Sequence, residues 1–175
     1  MYFCDPGLSF VTPQLKKVCE VWHTKRGTRT LPGRPDFDIR DLSFALPNVA
    51  VVTLVRDPQQ TRFQVRLMGS QLDAYVGSMT GKFIDEALPP SIAGKWTAIW
   101  NDAIDNKCAR RAVGQVEIGG KNYYTFEKFC APLAADNEVP DSLLIATYYH
   151  ARTGGHLDQN DVSRRLMSEL EVRGT

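Results

Sequence analysis

The residue types that most often carry chemistry are sparse and scattered in this chain. Its four cysteines, Cys4, Cys19, Cys108 and Cys130, lie far apart with no C-x-x-C pair, so neither a zinc knuckle nor a dithiol redox couple is encoded. They read as reduced, mostly buried thiols. Of the three histidines, His23, His150 and His156, His150 closes an apolar run, where a histidine is more often a satisfied structural residue than a ligand. The chain carries no G-x-S-x-G elbow, no H-E-x-x-H pair, no P-loop and no dinucleotide-binding glycine fingerprint. Sequence alone therefore assigns no catalytic residue and no metal ligand, and an enzyme is the less favoured reading, although acid–base pairs joined only by folding are invisible at this level.

The remaining candidates are aromatic and ionic. Trp96 and Trp100 stand one helical turn apart and form a large apolar face; docking that face on a sheet is the commoner role, and lining a ligand cage is compatible with it. Arg34, Asp36 and Asp38 sit in a proline-bounded loop. Ion pairing that fixes the loop ranks above a ligand role there, because exposed ion pairs are common and individually weak.

These residues must be positioned by elements that the patterning makes visible. Thr12-Pro13 suits the start of a helix, since proline at the first helical position loses no hydrogen bond. Leu15, Val18, Cys19 and Trp22 then recur at i, i+3, i+4 and i+7, one apolar face of a helix over residues 13–25. Residues 1–11 show no period and read as a flexible lead-in. Pro32 and Pro35 bias Leu31 and Arg34 toward extended backbone, so residues 27–47 read as an ordered loop in which Asp38 caps a short turn. Residues 49–55 are almost continuously apolar, as in a strand covered on both faces. Residues 62–68 alternate, placing Phe63, Val65 and Leu67 on one side. Gly69-Ser70 breaks the pattern, and a clasp of short helical turns follows up to Pro89-Pro90. The longest helix carries Ile92, Trp96, Ile99, Trp100, Ala103 and Ile104 on one face.

Three more strands are expected at residues 110–118, 123–131 and 142–150. Gly119-Gly120-Lys121-Asn122 is a hairpin-length connection between the first two. Tyr124, Phe126 and Cys130 share one parity, as do Leu144, Ala146, Tyr148 and His150. The tail reads as a capped amphipathic helix in which Val162, Leu166, Met167 and Leu170 oppose Arg164, Arg165, Glu169 and Glu171. Two strands, a helical clasp and three strands make an α+β arrangement, one five-stranded antiparallel sheet with helices mainly on one face. The division is 1–11 lead-in, 12–155 single domain and 156–175 C-terminal helix.

The totals agree. At 175 residues the length suits one domain, and 43% hydrophobic residues, 23% charged residues and a formal net charge of +1 fit a globular protein with no bias toward nucleic acid. No stretch approaches the roughly 18 apolar residues of a membrane span, and no basic-then-apolar leader opens the chain. A cytoplasmic location is expected.

The order of elements resembles the PAS domain. Specific residues narrow the likeness: Trp22; Leu31-Pro32-Gly33-Arg34-Pro35-Asp36-Phe37-Asp38; Leu46-Pro47; Arg62-Phe63 with Arg66-Leu67-Met68-Gly69-Ser70; and Gly77 with Thr80-Gly81-Lys82. Together they are similar to the compact single-domain PAS family of alphaproteobacteria. In that family a leading tryptophan helix precedes an LPxRxDFDP-like loop, an RxxRLxGT-like strand end and a TG[RK] turn. Gly33, Pro35, Ile39 and Ser70 depart from the usual residues. The resemblance implies a PAS-like five-stranded antiparallel sheet with helices on one face plus N-terminal and C-terminal flanking helices. One sheet face, the clasp and the long helix would enclose a small molecule, and the opposite face would meet the leading helix or a second subunit.

On parity, Phe63, Val65 and Leu67 would face the clasp and Arg66 the leading helix, an assignment a bulge would reverse. The implied pocket draws on Phe63, Leu67, Tyr75, Phe83, Trp96, Trp100, Tyr124, Phe126 and Tyr148, and the implied interaction surface on Trp22, Arg34, Asp36 and Arg66. Haem is not expected, because no histidine falls on the long helix where haem-binding PAS proteins typically place the axial ligand. Flavin is not expected either, because the clasp, residues 69–88, lacks the reactive cysteine of the flavin-binding light sensors. No kinase, cyclase or helix-turn-helix pattern accompanies the domain, so a signal would pass through a protein partner or homodimer. The leading reading is a stand-alone sensory domain that binds a small molecule, a protein partner or both. Its rival is a dimerising interaction module whose aromatics simply fill the core.

Overall fold

Among the described residues six strands, not five, make the sheet. In a computed structural model that describes residues 2–56, 58–116, 124–151 and 162–173, the strands are β1 (Tyr2–Asp5), β2 (Val49–Arg56), β3 (Thr61–Met68), β4 (Arg110–Gln115), β5 (Tyr124–Leu133) and β6 (Ser142–Ala151). They are ordered β1-β4-β5-β6-β2-β3 with every neighbour antiparallel. The extra strand comes from the expected lead-in: Tyr2 pairs with Gly114 and Asp5 with Arg111, covering an edge of β4 that would otherwise present unpaired backbone groups. Four residues are too few to display a period, which is why the segment reads as featureless in sequence. As its unbroken apolar run requires, β2 is an interior strand, between β6 and β3. The Gly119-Gly120 connection, His156 and the start of the expected C-terminal helix lie outside the described residues.

Among the described residues five helices flank the sheet. The first, α1 (Pro13–Arg26), begins at Thr12 as expected, and Leu15, Val18, Cys19 and Trp22 are all buried. They pack with Phe129, Leu133, Leu144 and Ala146 on one sheet face, each large side chain contributing roughly 1.5–3 kcal/mol. Trp22 also donates its indole N–H to Pro132 O at 3.1 Å, so this residue is a core anchor and not the interaction residue expected of it. A 3-10 turn at Arg34–Asp36 and a second at Leu46–Asn48 carry the chain to β2.

On the other sheet face lie α2 (Ser70–Val76), α3 (Ile84–Ala87) and α4 (Pro90–Asp105). Ile92, Ile99, Trp100 and Ala103 of α4 are buried against Val52, Phe63, Val65, Cys130 and Ile145. The last helix, α5 (Val162–Arg173), docks on its own domain, where Leu166 and Leu170 bury against Phe3, Val11 and Val113. Among the described residues no helix is long and apolar enough to cross a membrane.

Two local features aim the site. First, the β2–β3 register steps from Val51↔Leu67 to Val52↔Val65, leaving Arg66 as the extra residue of a bulge that bends β3 and reverses the side-chain alternation beyond it. Phe63 and Val65 stay in the core under α4, but Leu67 turns to the α1 face, where it is 38% exposed, and Met68 takes its place on the α4 side. Second, Gly69 passes so close to the Leu46–Asn48 turn that a Cβ there would press into the carbonyl oxygens of Leu46 and Pro47, while its own N–H bonds to Val49 O at 2.9 Å. Gly69→Ala is accordingly expected to cost about 3 kcal/mol, seen as a lower urea midpoint at unchanged slope. An unchanged midpoint would show that the two segments separate freely.

Candidate functional site

The space between α4 and the sheet is nearly filled. It holds two cavities of about 40 Å³ and 30 Å³, each with room for only a few waters, since one water needs roughly 10–15 Å³. The first is lined by Tyr2, Ile92, Lys95, Ile99, Gln115 and Phe126, the second by Val52, Val65, Met68, Leu72, Ile84 and Trp100, among others. Four side chains line both: Val76, Trp96, Lys128 and Tyr149. They are the partition between the two.

Strand alternation sets that partition. Along β5, Tyr124, Phe126, Lys128 and Cys130 point toward α4, and the ammonium of Lys128 lies 3.7 Å from the ring centre of Trp96 and 5.4 Å from that of Phe126. Lys128 is only 3% exposed, and among the described residues its ammonium has no carboxylate or hydrogen-bond partner. Burial pushes its pKa from 10.5 down to about 8, a cost that the two ring faces offset in part. Burial likewise raises Tyr149 and pushes the Cys130 thiol up to about 12, which leaves Cys130 neutral and chemically quiet. The indole N–H of Trp100 is a buried donor without an acceptor among the described residues.

The residues expected to form the pocket are distributed unevenly. Trp96, Trp100 and Phe126 line it. Tyr75 and Tyr124 support it from behind, since Tyr75 stacks on Tyr149 with ring centres 4.1 Å apart and meets Tyr124 edge-on at 5.2 Å. Phe63 lies behind Trp100 in a T-shaped contact at 5.2 Å and touches neither cavity. Phe83 sits outside, under the guanidinium of Arg62 at 3.9 Å, which also pairs with Asp85 and Glu86 of α3 at 2.8 and 2.6 Å. Leu67 is removed by the bulge. Tyr148 packs on the α1 face because β6 presents its odd residues, Leu143, Ile145, Thr147 and Tyr149, to α4.

Lys128 and Tyr149 are the residues the sequence reading passed over. The signal for Lys128 was present: it occupies the position between Phe126 and Cys130 in the same alternation. Its charge marks it as a surface residue when aromatics are being sought.

On the opposite face α1 covers β5 and β6, and α5 covers β1 and β4. The β2–β3 end is left with two open grooves of about 370 and 360 Å³. Arg34 borders both, Arg66 the first, and Ile39 and Leu67 the second. Neither guanidinium has an ion pair or hydrogen bond among the described residues. Asp36 behaves otherwise: it accepts the Gly33 N–H at 2.7 Å and pairs with Arg29 at 2.9 Å, which is the loop-fixing role. Its carboxyl is held below the ordinary range, first by the Gly33 N–H and then by Arg29. All four cysteines are free, Cys19 and Cys130 buried and Cys4 exposed. No cluster of potential metal ligands occurs among the described residues.

Comparisons with known proteins bear on the whole chain. No curated protein matches it. Among solved structures, the LOV protein of Rhodobacter sphaeroides is similar, at 16% identity and a TM-score of 0.42 with 93% of this chain and 82% of that chain covered, a likeness too loose to bear on ligand or mechanism. The sequence model of the PAS domain matches residues 11–146, from the lead into α1 to the middle of β6. The chain belongs to the PAS family of sensory and signalling domains.

Proposed function

We propose that this PAS domain is a small-molecule-responsive regulator without catalytic activity of its own, acting in the cytoplasm and admitting its ligand between α4 and the sheet. The observation that carries the reading is the partition: two adjoining cavities divided by four side chains, one of them the half-buried ring of Trp96. At about 40 and 30 Å³ they fall far short of the roughly 300–1,000 Å³ of small-molecule sites, so a ligand enters by displacing Trp96 and joining them. No carboxylate or imidazole lines either cavity among the described residues, so the acid–base pair that would favour an enzyme has no support there.

A thermal-shift screen against a metabolite library tests this. A compound at about 100 times its Kd stabilises by about 2.7 kcal/mol, a rise of roughly 5–10 °C in Tm at this chain length. Val76→Phe, which fills the partition, should abolish the shift. A complete library without a stabilising compound would reject the reading in favour of a filled-core module.

The open grooves favour a second role alongside the first, a docking surface at the β2–β3 end. Ile39 is 70% exposed there beside Leu67, and Arg34 and Arg66 lack acidic partners among the described residues, which suits an apolar surface flanked by acidic groups. Light scattering over a concentration series separates the occupants. A dimer abolished by Leu67→Glu identifies a second copy, and a monomer throughout points to a different protein.

A further inference from the structure

We infer that the interior of this domain is built for a ligand carrying a carboxylate on an apolar body, with Lys128 as the group that recognises the acid. The inference rests on the interior being the ligand site and adds the chemistry of what enters it. Three observations converge. The ammonium of Lys128 is buried in the partition itself, lining both cavities, with ring faces beside it and no protein anion to neutralise it among the described residues. Buried charges in folded proteins are ordinarily paired, because an unpaired one loses its hydration without replacement. Trp100, lining the second cavity, contributes a buried N–H that also lacks an acceptor.

Two donors without acceptors, in a space whose other walls are aliphatic and aromatic, define the complement: an acceptor with negative charge on a body that tolerates apolar walls. A cation would meet Lys128 and the half-buried Lys95 at the same cavity. A neutral apolar molecule would leave both donors bare.

Isothermal titration with benzoate and hexanoate, each against its neutral amide, tests the assignment in the wild-type protein and in Trp96→Ala, where the two cavities are already joined. The acids should bind roughly tenfold or more tightly than the amides, the discrimination expected of a charge-assisted hydrogen bond, and tightest in Trp96→Ala. The preference should vanish in both Lys128→Met and Lys128→Gln while amide binding persists. Amides binding as well as acids in wild type and Trp96→Ala would overturn the role of Lys128 and leave the interior ligand site intact. Failure of all four compounds to bind Trp96→Ala would overturn both.

Discussion

Replacing Glu127 with alanine is expected to lower stability by about 3–5 kcal/mol, a large part of the roughly 5–15 kcal/mol by which native domains are stable. The Glu127 side chain is fully buried and does three things at once. It accepts Arg111 Nε, and it accepts the backbone N–H groups of Val11 at 2.9 Å and Thr12 at 2.7 Å where the chain enters α1. Arg111, equally buried, also reaches Asp5 of β1 at 3.3 Å and Glu169 of α5 at 2.7 Å. Burial alone would lower the Arg111 pKa, but Glu169 and Glu127 more than reverse that. Removing Glu127 leaves a buried guanidinium undercompensated and two buried donors bare, which is why the loss exceeds that of an ordinary ion pair.

Glu169→Ala should cost much less, because that carboxylate is 27% exposed and water replaces it. The double replacement Arg111→Met with Glu127→Leu should recover part of the loss by removing the charge along with its partner. Urea unfolding of the three variants checks the ordering. A Glu127→Ala protein within 1 kcal/mol of wild type would mean the cluster is not what joins the first strand, α1 and α5 to the sheet.

The opposite sign is expected at Lys128. Methionine there should make the protein more stable at neutral pH by about 3 kcal/mol, the free energy equivalent of a pKa moved from 10.5 to about 8. The sign follows from proton counting. Between about pH 8 and 10.5 the unfolded chain holds a proton at Lys128 that the folded protein does not, so wild-type stability rises with pH across that window. Above it both states are neutral and burying Lys128 carries no charge penalty; the penalty returns as pH falls from about 10.5 to about 8 and is complete below about 8. The gap between Lys128→Met and wild type should therefore be widest below about pH 8 and nearly closed by about pH 10.5. Equal stability of the two proteins at pH 7 would show that the ring faces of Trp96 and Phe126 compensate the buried charge completely. A site that retains a destabilising charge is retaining it for something other than the fold.

How much of this was legible beforehand follows from the range of each signal. Helical faces such as Leu15–Val18–Trp22 and Ile92–Ile99–Trp100 repeat over several turns, so the periodicity locates them and the structure buries them. The clasp motifs around Gly69, Gly77 and Gly81 are visible because backbone geometry demands glycine there: Gly77 and Gly81 have φ of 83° and 84°, and Gly69 has no space for a Cβ. What failed depended on pairing. The strand at Tyr2–Asp5 has meaning only once β4 needs an edge partner. One bulge residue, Arg66, moved Leu67 from pocket to groove, and parity counted from the wrong residue of β6 chose Tyr148 over Tyr149. Lys128 was hidden differently, because a lysine is almost never fully buried and only the three-dimensional enclosure shows that this one is.

The most direct test of the central claim is a ¹H–¹⁵N correlation spectrum of the wild-type protein titrated with the first compound that stabilises it. Binding between α4 and the sheet should move the indole N–H signals of Trp96 and Trp100 and the amides of Val76, Lys128 and Tyr149, leaving Val51, Leu67 and Leu144 on the grooved face unchanged. Shifts confined to that grooved face, with the signals of α4 and Lys128 static, would contradict it.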